Sequence, residues 1–425
     1  MAFRHRAIVT ALAVAGGFFS AGQPPLANDA AEPVPPARPA WMPAVTPLPP
    51  PPEEPVRRVD SVEALLRAAA EVEPGETILV AEGHYMIPRY FEITADRVTL
   101  RGATGHPRDV VFDGAQSRHG ELLGLRACTD VTVADLTIQN VRWNGLKINS
   151  ETGVQRLTVH HCIFRNIWQR AIKGVRVPAE DRDRLRPTDC AVQYCLFVND
   201  RAKRYEDDPA DTAENFRGNY VGGIDVMWAR RWTIRDNAFM GIRGRSGEGR
   251  GAVFLWHESE DCTVERNLIL DCDSGICLGN SYIPKGVAIH AERITVRNNL
   301  LVRVPQNGIL ADYTRDCLIA HNSIHDPGTR LRRLIRLVHV NDGLVVANNL
   351  LSGAPIRVET DSAVRFEENV TGDLESAFVD VATGDLRLRQ AVEGITAAVD
   401  RLDEIPEDFT GSPRHRRTTV GAFGP

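Results

Sequence analysis

One ten-residue phrase returns eight times: "VTVADLTIQN", "LTVHHCIFRN", "CAVQYCLFVN", "WTIRDNAFMG", "CTVERNLILD", "ITVRNNLLVR", "CLIAHNSIHD" and "LVVANNLLSG". In register, the sixth letters are Leu136, Cys162, Cys195, Asn237, Asn267, Asn299, Asn322 and Asn349, and Asn369 in "FEENV" continues the series. Steps run from 20 to 33 residues, with one of 42 where an insertion sits. Such self-similarity marks a solenoid, in which each repeat is a coil that buries its apolar face only against its neighbours. Equivalent residues then stack about 4.7–4.9 Å apart. A column of Asn amides at that spacing can donate to and accept from its neighbours in a ladder.

Each coil carries a second strand: "GLKI", "AIKG", "GIDV", "AVFL", "GICL", "GILA", "LIRL" and "PIRV". The fold class is therefore all-β, a parallel β-helix solenoid. Ahead of the coils, "DSVEALLRAAAEV" (Asp60–Val72) has an apolar stripe at Val62, Leu65, Leu66 and Ala69, with Asp60 and Glu63 spaced as a capping box. This helix is placed to cap the exposed edge of the first coil.

The N-terminus carries Arg4 and Arg6 before the apolar stretch Ala7–Ser20, too short to span a bilayer but suited to an export signal. Residues 1–27 are read as a signal peptide, 28–58 as a proline-rich linker, and 59–425 as the β-helix domain with a C-terminal tail. The tract Pro24–Pro55 holds half of the 26 prolines and reads as an extended, unpacked spacer. A secreted or periplasmic protein without a transmembrane anchor is expected. A net charge of −6 gives no reason to expect a nucleic-acid partner.

Together, the helix followed by "PGETILVAEGHYMI", the Asn-laddered coils and the ending "RHRRTTVGAFG" resemble the right-handed parallel β-helix proteins of the pectate-lyase-like superfamily. The resemblance runs from about Val59 to the C-terminus. It implies a right-handed coil and a carbohydrate-active protein, without selecting among lyases, hydrolases, epimerases and non-catalytic surface proteins. The polygalacturonase "GHG" and "RIK" elements and the Asp-x-His-Asp signature of C5-epimerases are absent from the sequence.

Eight cysteines in an exported chain invite a disulfide framework. Yet Cys190, Cys262 and Cys317 share one repeat position, and Cys162 and Cys195 share the ladder position. Columns of small core side chains account for them without bonds.

Alternation along the second strands points one residue per coil outward: Lys147, Lys173, Asp225, Phe254, Cys277, Leu310, Arg336 and Arg357. Stacked lysines repel, which suits a site that holds an anion or depresses one lysine's pKa so that it serves as a base. Long connections rise from the same coils. "GIRGRSGEGRG" brings Arg243, Arg245 and Arg250, while Trp228, Trp256, His257 and Asn280 end or follow the strands. Aromatic and basic groups side by side suit an acidic sugar. For each there is a plainer reading: Lys173 and Asp225 as a surface ion pair, Trp228 and Trp256 as buried loop anchors, and "EDDPAD" (Glu206, Asp207, Asp208, Asp211) as a solvated loop.

The leading expectation is an exported polysaccharide lyase cleaving a uronate-containing polymer by β-elimination. Lys173 would be the base, its pKa lowered by Lys147, and Arg243 or Arg250 would hold the carboxylate. Trp228, Trp256, His257, Arg245 and Asn280 would contact substrate. Asp225, Glu258, Asp207 and Asp208 are the candidate ligands for Ca²⁺. Two alternatives stand beside it. One is a glycoside hydrolase pairing Asp225 with Glu258 or Asp207. The other is a non-catalytic glycan-binding or surface protein. The partner expected is an acidic polysaccharide, and the chain is expected to be a monomer.

Overall fold

The computed structural model describes residues 37–424, apart from Pro52 and Arg330. The expected signal peptide and the start of the linker lie outside the described residues. Three parallel sheets wind into a right-handed β-helix. The first sheet runs from Val56–Val59 to Arg365–Glu367, the second from Phe91–Ile93 to Arg357–Thr360, and the third from Gly83–Met86 to Val370–Gly372.

The ladder forms as the spacing predicts. Asn237 Nδ2 donates to Asn267 Oδ1 at 3.0 Å, Asn267 to Asn299 at 3.0 Å, Asn299 to Asn322 at 3.0 Å, Asn322 to Asn349 at 3.0 Å and Asn349 to Asn369 at 2.9 Å. Each accepting oxygen also takes the backbone N–H of the preceding Asn, for example Asn267 N to Asn299 Oδ1 at 3.0 Å. The residue before each ladder position is left-handed: Asp135, His161, Tyr194, Asp236, Arg266, Asn298, His321, Asn348 and Glu368 all have positive φ. That backbone turns the corner between two sheets, and the Asn amide satisfies the N–H groups the corner would strand inside. Beneath it Phe164, Phe197 and Phe239 stack with centroids 5.0 and 4.5 Å apart.

A second left-handed column precedes each first-sheet strand: Arg97, Asp130, Arg156, Asp189, Arg231, Asp261, Arg293 and Asp316. Its charges alternate in sign, and Arg156–Asp130, Arg231–Asp189 and Arg293–Asp261 pair at 2.7, 2.6 and 2.7 Å.

The helix spans Val62–Glu71 and buries Leu65, Ala68 and Ala69 against the core at the N-terminal end. Ser61, rather than Asp60, caps it, accepting from Ala64 N at 3.3 Å. The proline-rich segment departs further from expectation. Residues 37–51 dock on the solenoid wall rather than standing free. Met42 is buried with Trp41 packed beside it, and Arg101 Nη1 donates to Pro49 O at 2.6 Å. Proline leaves carbonyls free to accept, so an extended segment without its own ladder still finds donors on the wall.

All eight cysteines are free and buried, and burial pushes the Cys190, Cys262 and Cys277 thiols up to about 12. Beyond the last coil, the tail turns back along the outer face of the third sheet, burying Phe378, Ile395, Phe409 and Val420 against Leu268, Leu300 and Leu350. Arg414 fastens it, with Nη2 donating to Asn298 Oδ1 at 2.8 Å and to the Gly421 and Ala422 carbonyls, each at 3.0 Å.

Candidate functional site

The outward column of the second sheet has the expected register: Lys147 pairs with Lys173, Lys173 with Asp225, Asp225 with Phe254, Phe254 with Cys277 and Cys277 with Leu310. It forms the floor of a groove. The segments 200–220 and 241–250 enter these strands at one end, and 175–187 and 279–290 leave them at the other.

Strict alternation breaks at the same point of successive strands, as Ala252 and Val253 also show. Ala171 and Ile172 both face the core, so Arg170 and Lys173 both emerge on the groove side. Simple alternation sends Arg170 inward, which is why sequence reasoning passed over it. Arg170 Nε donates to Asp225 Oδ2 at 2.6 Å, Lys173 Nζ to Oδ1 at 2.8 Å and Trp256 Nε1 to Oδ1 at 3.0 Å. Asp225 and Arg170 are each 1% exposed and Lys173 8%. Burial alone would raise the Asp225 pKa, but Lys173 and Arg170 more than offset it and hold the carboxyl at about 2. Lys173 is thus a paired ammonium. Lys147 has its own partner, Glu121, at 3.0 Å, so the two lysines do not face each other uncompensated.

Arg170 also lies over the Tyr220 ring at 3.9 Å. Beside it stands Arg250, whose guanidinium makes no hydrogen bond or ion pair and whose pKa is lowered by desolvation and by the Arg170 charge. Arg250 lines a slot of about 100 Å³ with Phe254, Cys277, Leu310, Asn280 and Asn307. The buried Asn307 Oδ1 has no partner there. Two cations thus hold one buried carboxylate, and the exposed Arg250 stands beside them, in a protein whose net charge is negative.

The other expected residues are placed less favourably. Arg245 stays with the 200–220 segment, donating to Arg217 O at 3.2 Å and lying over Tyr205 at 4.6 Å. The Arg243 carbonyl accepts from Lys203 N at 2.9 Å, while its exposed guanidinium has no hydrogen-bond partner among the described residues. Trp228 is no sugar platform: it is 1% exposed and packs with Val177 and Leu185, anchoring the 175–187 segment. Trp256 is half-buried, stacked on Phe254 at 4.8 Å. His257 is buried between Trp228, Trp256 and His290, with both ring nitrogens unpartnered, and burial holds its pKa at about 4. Asn280 Oδ1 accepts from Tyr282 N at 2.9 Å, which presents the exposed Tyr282 ring at the rim.

The expected calcium ligands are separately engaged. Asp225 holds Lys173 and Arg170, and Glu258 holds Arg182. Asp207 holds Arg201 at 2.6 Å. Asp208 accepts from Lys203 at 3.0 Å, from Trp143 Nε1 at 3.0 Å and from Gln169 Nε2 at 2.8 Å. With Asp211, also on Lys203 at 2.8 Å, it clamps the 200–220 segment to the turns ahead of both lysine strands. Asp208 and Asp211 of the "EDDPAD" run are therefore an internal clamp, invisible until the fold brings Lys203 and Trp143 to them, while Glu206 stays exposed. Among the described residues, no group of three His, Cys, Asp or Glu side chains converges as a metal site.

The groove and its solenoid define a right-handed parallel β-helix protein with a cationic cleft on its second sheet. Residues 212–371 match a family described as "NosD: Periplasmic copper-binding protein (NosD)". Copper does not fit the residues present: the cysteines are core thiols with raised pKa, and the His257 and His290 rings stack face to face. No curated protein matches the chain in sequence. Solved structures similar to it include a mannuronic-acid-specific polysaccharide family 6 lyase from human gut microbiota, 14% identical with TM-score 0.49, covering 71% of this chain and 67% of that one. Pectate lyase Pel9A is 11% identical with TM-score 0.49, over 84% and 90%. PfbA, a surface adhesin of Streptococcus pneumoniae, is 13% identical with TM-score 0.48, over 73% and 86%. None of these likenesses carries a residue role to this chain. No helix among the described residues is long and apolar enough to cross a membrane.

Proposed function

We propose that this is an exported β-helix protein that holds an acidic polysaccharide in the second-sheet groove, with Arg250, Lys173 and Arg243 meeting its carboxylates. The observation that carries the reading is the cation pair Lys173 and Arg170 on the single buried carboxylate of Asp225, with the exposed Arg250 beside them outside any ion pair among the described residues. Arg250 and Arg170 repel each other until an anion arrives between them, and Arg250 has no internal acceptor to give up. The exposed Tyr282 and the edge of Trp256 offer faces for sugar rings. Export accords with the signal peptide expected from residues 1–27 and with a matched family described as periplasmic.

Binding of pectate, alginate and chondroitin to the purified mature chain tests this, with neutral glucans as the comparison. Arg250→Ala is expected to weaken acidic-glycan binding by about 10-fold, the worth of one charge-assisted hydrogen bond. Equal affinity for neutral glycans, or an Arg250→Ala variant that binds like the parent, overturns it.

The second reading is lyase action at the same groove. It is favoured by Lys173, the one cation there held at the mouth by a single carboxylate oxygen. In that reading Lys173, displaced from Asp225 by an incoming uronate, would give its ammonium proton to solvent before taking the C5 proton of the sugar. Ultraviolet absorbance of an unsaturated product, lost in Lys173→Ala, would establish turnover; binding without absorbance, with calcium or with chelator, leaves the non-catalytic role. The hydrolase alternative is weakened, because Asp225 is ionised and inaccessible and cannot serve as an acid.

A further inference from the structure

The two ends of the solenoid are unlike. At the N-terminal end, the helix Val62–Glu71 covers the first coil. At the other end the tail leaves Gly372 and runs back along the third sheet, so nothing among the described residues lies over the last coil. Its core-facing side chains are bare. Val358, stacked under Leu337, is 50% exposed, and Phe366, stacked under Val346, is 45% exposed, whereas the residues above them are fully buried. Ile356, Val358 and Phe366 floor a shallow depression of about 460 Å³. The edges of Arg357–Thr360, Arg365–Glu367 and Val370–Gly372 keep one row of backbone groups with no strand beyond them.

We propose that this end is a self-docking surface, on which two copies of the chain meet end to end about a twofold axis. An unpaired, apolar sheet end is a template for another strand, and monomers blunt such edges with charge, proline or a cover. Here charge is present, but in a self-complementary order. The first-sheet strand reads Arg365-Phe366-Glu367, an apolar residue between opposite charges that pair with each other at 3.1 Å in the single chain and can exchange partners across a twofold. A twofold perpendicular to the solenoid axis makes facing strands antiparallel. With the axis through Phe366, Arg365 lies opposite Glu367 of the second copy and the two Phe366 rings meet. The strand Arg357–Thr360 then faces Val370–Gly372 of the second copy, which closes all three sheets across the junction.

The capped N-terminal end forbids head-to-tail addition, so the assembly stops at two. The dimer is expected to be reversible and concentration-dependent. It replaces the monomer expected from the sequence and is independent of what the groove binds.

Sedimentation velocity of the mature chain, from nanomolar to high micromolar concentration, reads the equilibrium directly. The parent is expected to pass from monomer to dimer, and Phe366→Glu to remain monomeric with an unchanged circular dichroism spectrum. Arg365→Glu sets two acidic residues opposite each other and is expected to weaken the dimer at least tenfold. The double reversal Arg365→Glu with Glu367→Arg restores the charge order and should restore the dimer. A parent that stays monomeric throughout, a dimer indifferent to Phe366→Glu, or growth beyond two copies overturns the proposal.

Discussion

Replacing Asp225 by Asn removes the negative charge on which the groove floor is built. The carboxylate accepts from Arg170 Nε at 2.6 Å, Lys173 Nζ at 2.8 Å and Trp256 Nε1 at 3.0 Å. The amide keeps one accepting oxygen and turns its NH₂ toward the remaining donors. Arg170, 1% exposed, is held in place, whereas Lys173, 8% exposed, can lean outward toward solvent. Breaking a buried ion pair from one side typically costs roughly 3–5 kcal/mol, because the surviving charge is stranded. An independent figure comes from the carboxyl itself: its fall from 3.8 to about 2 corresponds to about 2.4 kcal/mol at neutral pH. The second figure is smaller because burial already counts against the ion. Lys173 relieves part of the strain, so a loss of about 3 kcal/mol is expected, measured by urea unfolding.

The sign of the pH dependence follows. A depressed carboxyl pKa stabilises the fold fully above 3.8, and this contribution is lost as pH falls through about 2. Parent and variant should therefore differ most at neutral pH and converge in acid. With Lys173→Met as background only Arg170 is stranded, so the same substitution should cost measurably less. A neutral-pH loss below about 1 kcal/mol would show these cations to be solvated, against the range for buried pairs. A loss that Lys173→Met leaves unchanged would show the pair to be uncoupled.

Further expectations concern the scaffold. Asn299→Leu strands the Asn267 backbone N–H and should cost about 2–4 kcal/mol in urea unfolding, against less than half of that for Asn369→Leu at the open end. His257 is held at about 4 and His321 at about 3, both mainly by burial. Their contribution is present above the ordinary value of 6.5 and lost as pH falls through those values, so the Tm should decline between these limits, and less steeply in His257→Gln. Lys203→Met leaves Asp208 and Asp211 buried without their cation and should both lower Tm and speed limited proteolysis within 200–220.

The register was legible in the sequence because stacking repeats it: a column such as Lys147, Lys173, Asp225 and Phe254 is fixed once the Asn positions are aligned. Side chains outside the period were not legible. Arg170 reaches Asp225 through a double inward step at Ala171 and Ile172, repeated at Ala252 and Val253, which a two-residue alternation does not anticipate, and Glu121 meets Lys147 from the preceding coil. The fates of Trp228 and the "EDDPAD" acids depend on where insertions fold back, which no repeat length encodes. The docked proline segment misled for the opposite reason, since its composition describes the chain alone and not the wall that receives it.

The alternating column from Arg97 to Asp316 has a consequence for how such a chain can lengthen. Its exposed pairs are each worth little, about 0–1 kcal/mol, but together they impose a parity on the array. Duplicating or deleting a single coil would bring Asp onto Asp or Arg onto Arg at the junction, whereas two coils at a time leave the alternation whole. The unit of growth written on this wall is thus a pair of coils, although the unit of folding is one.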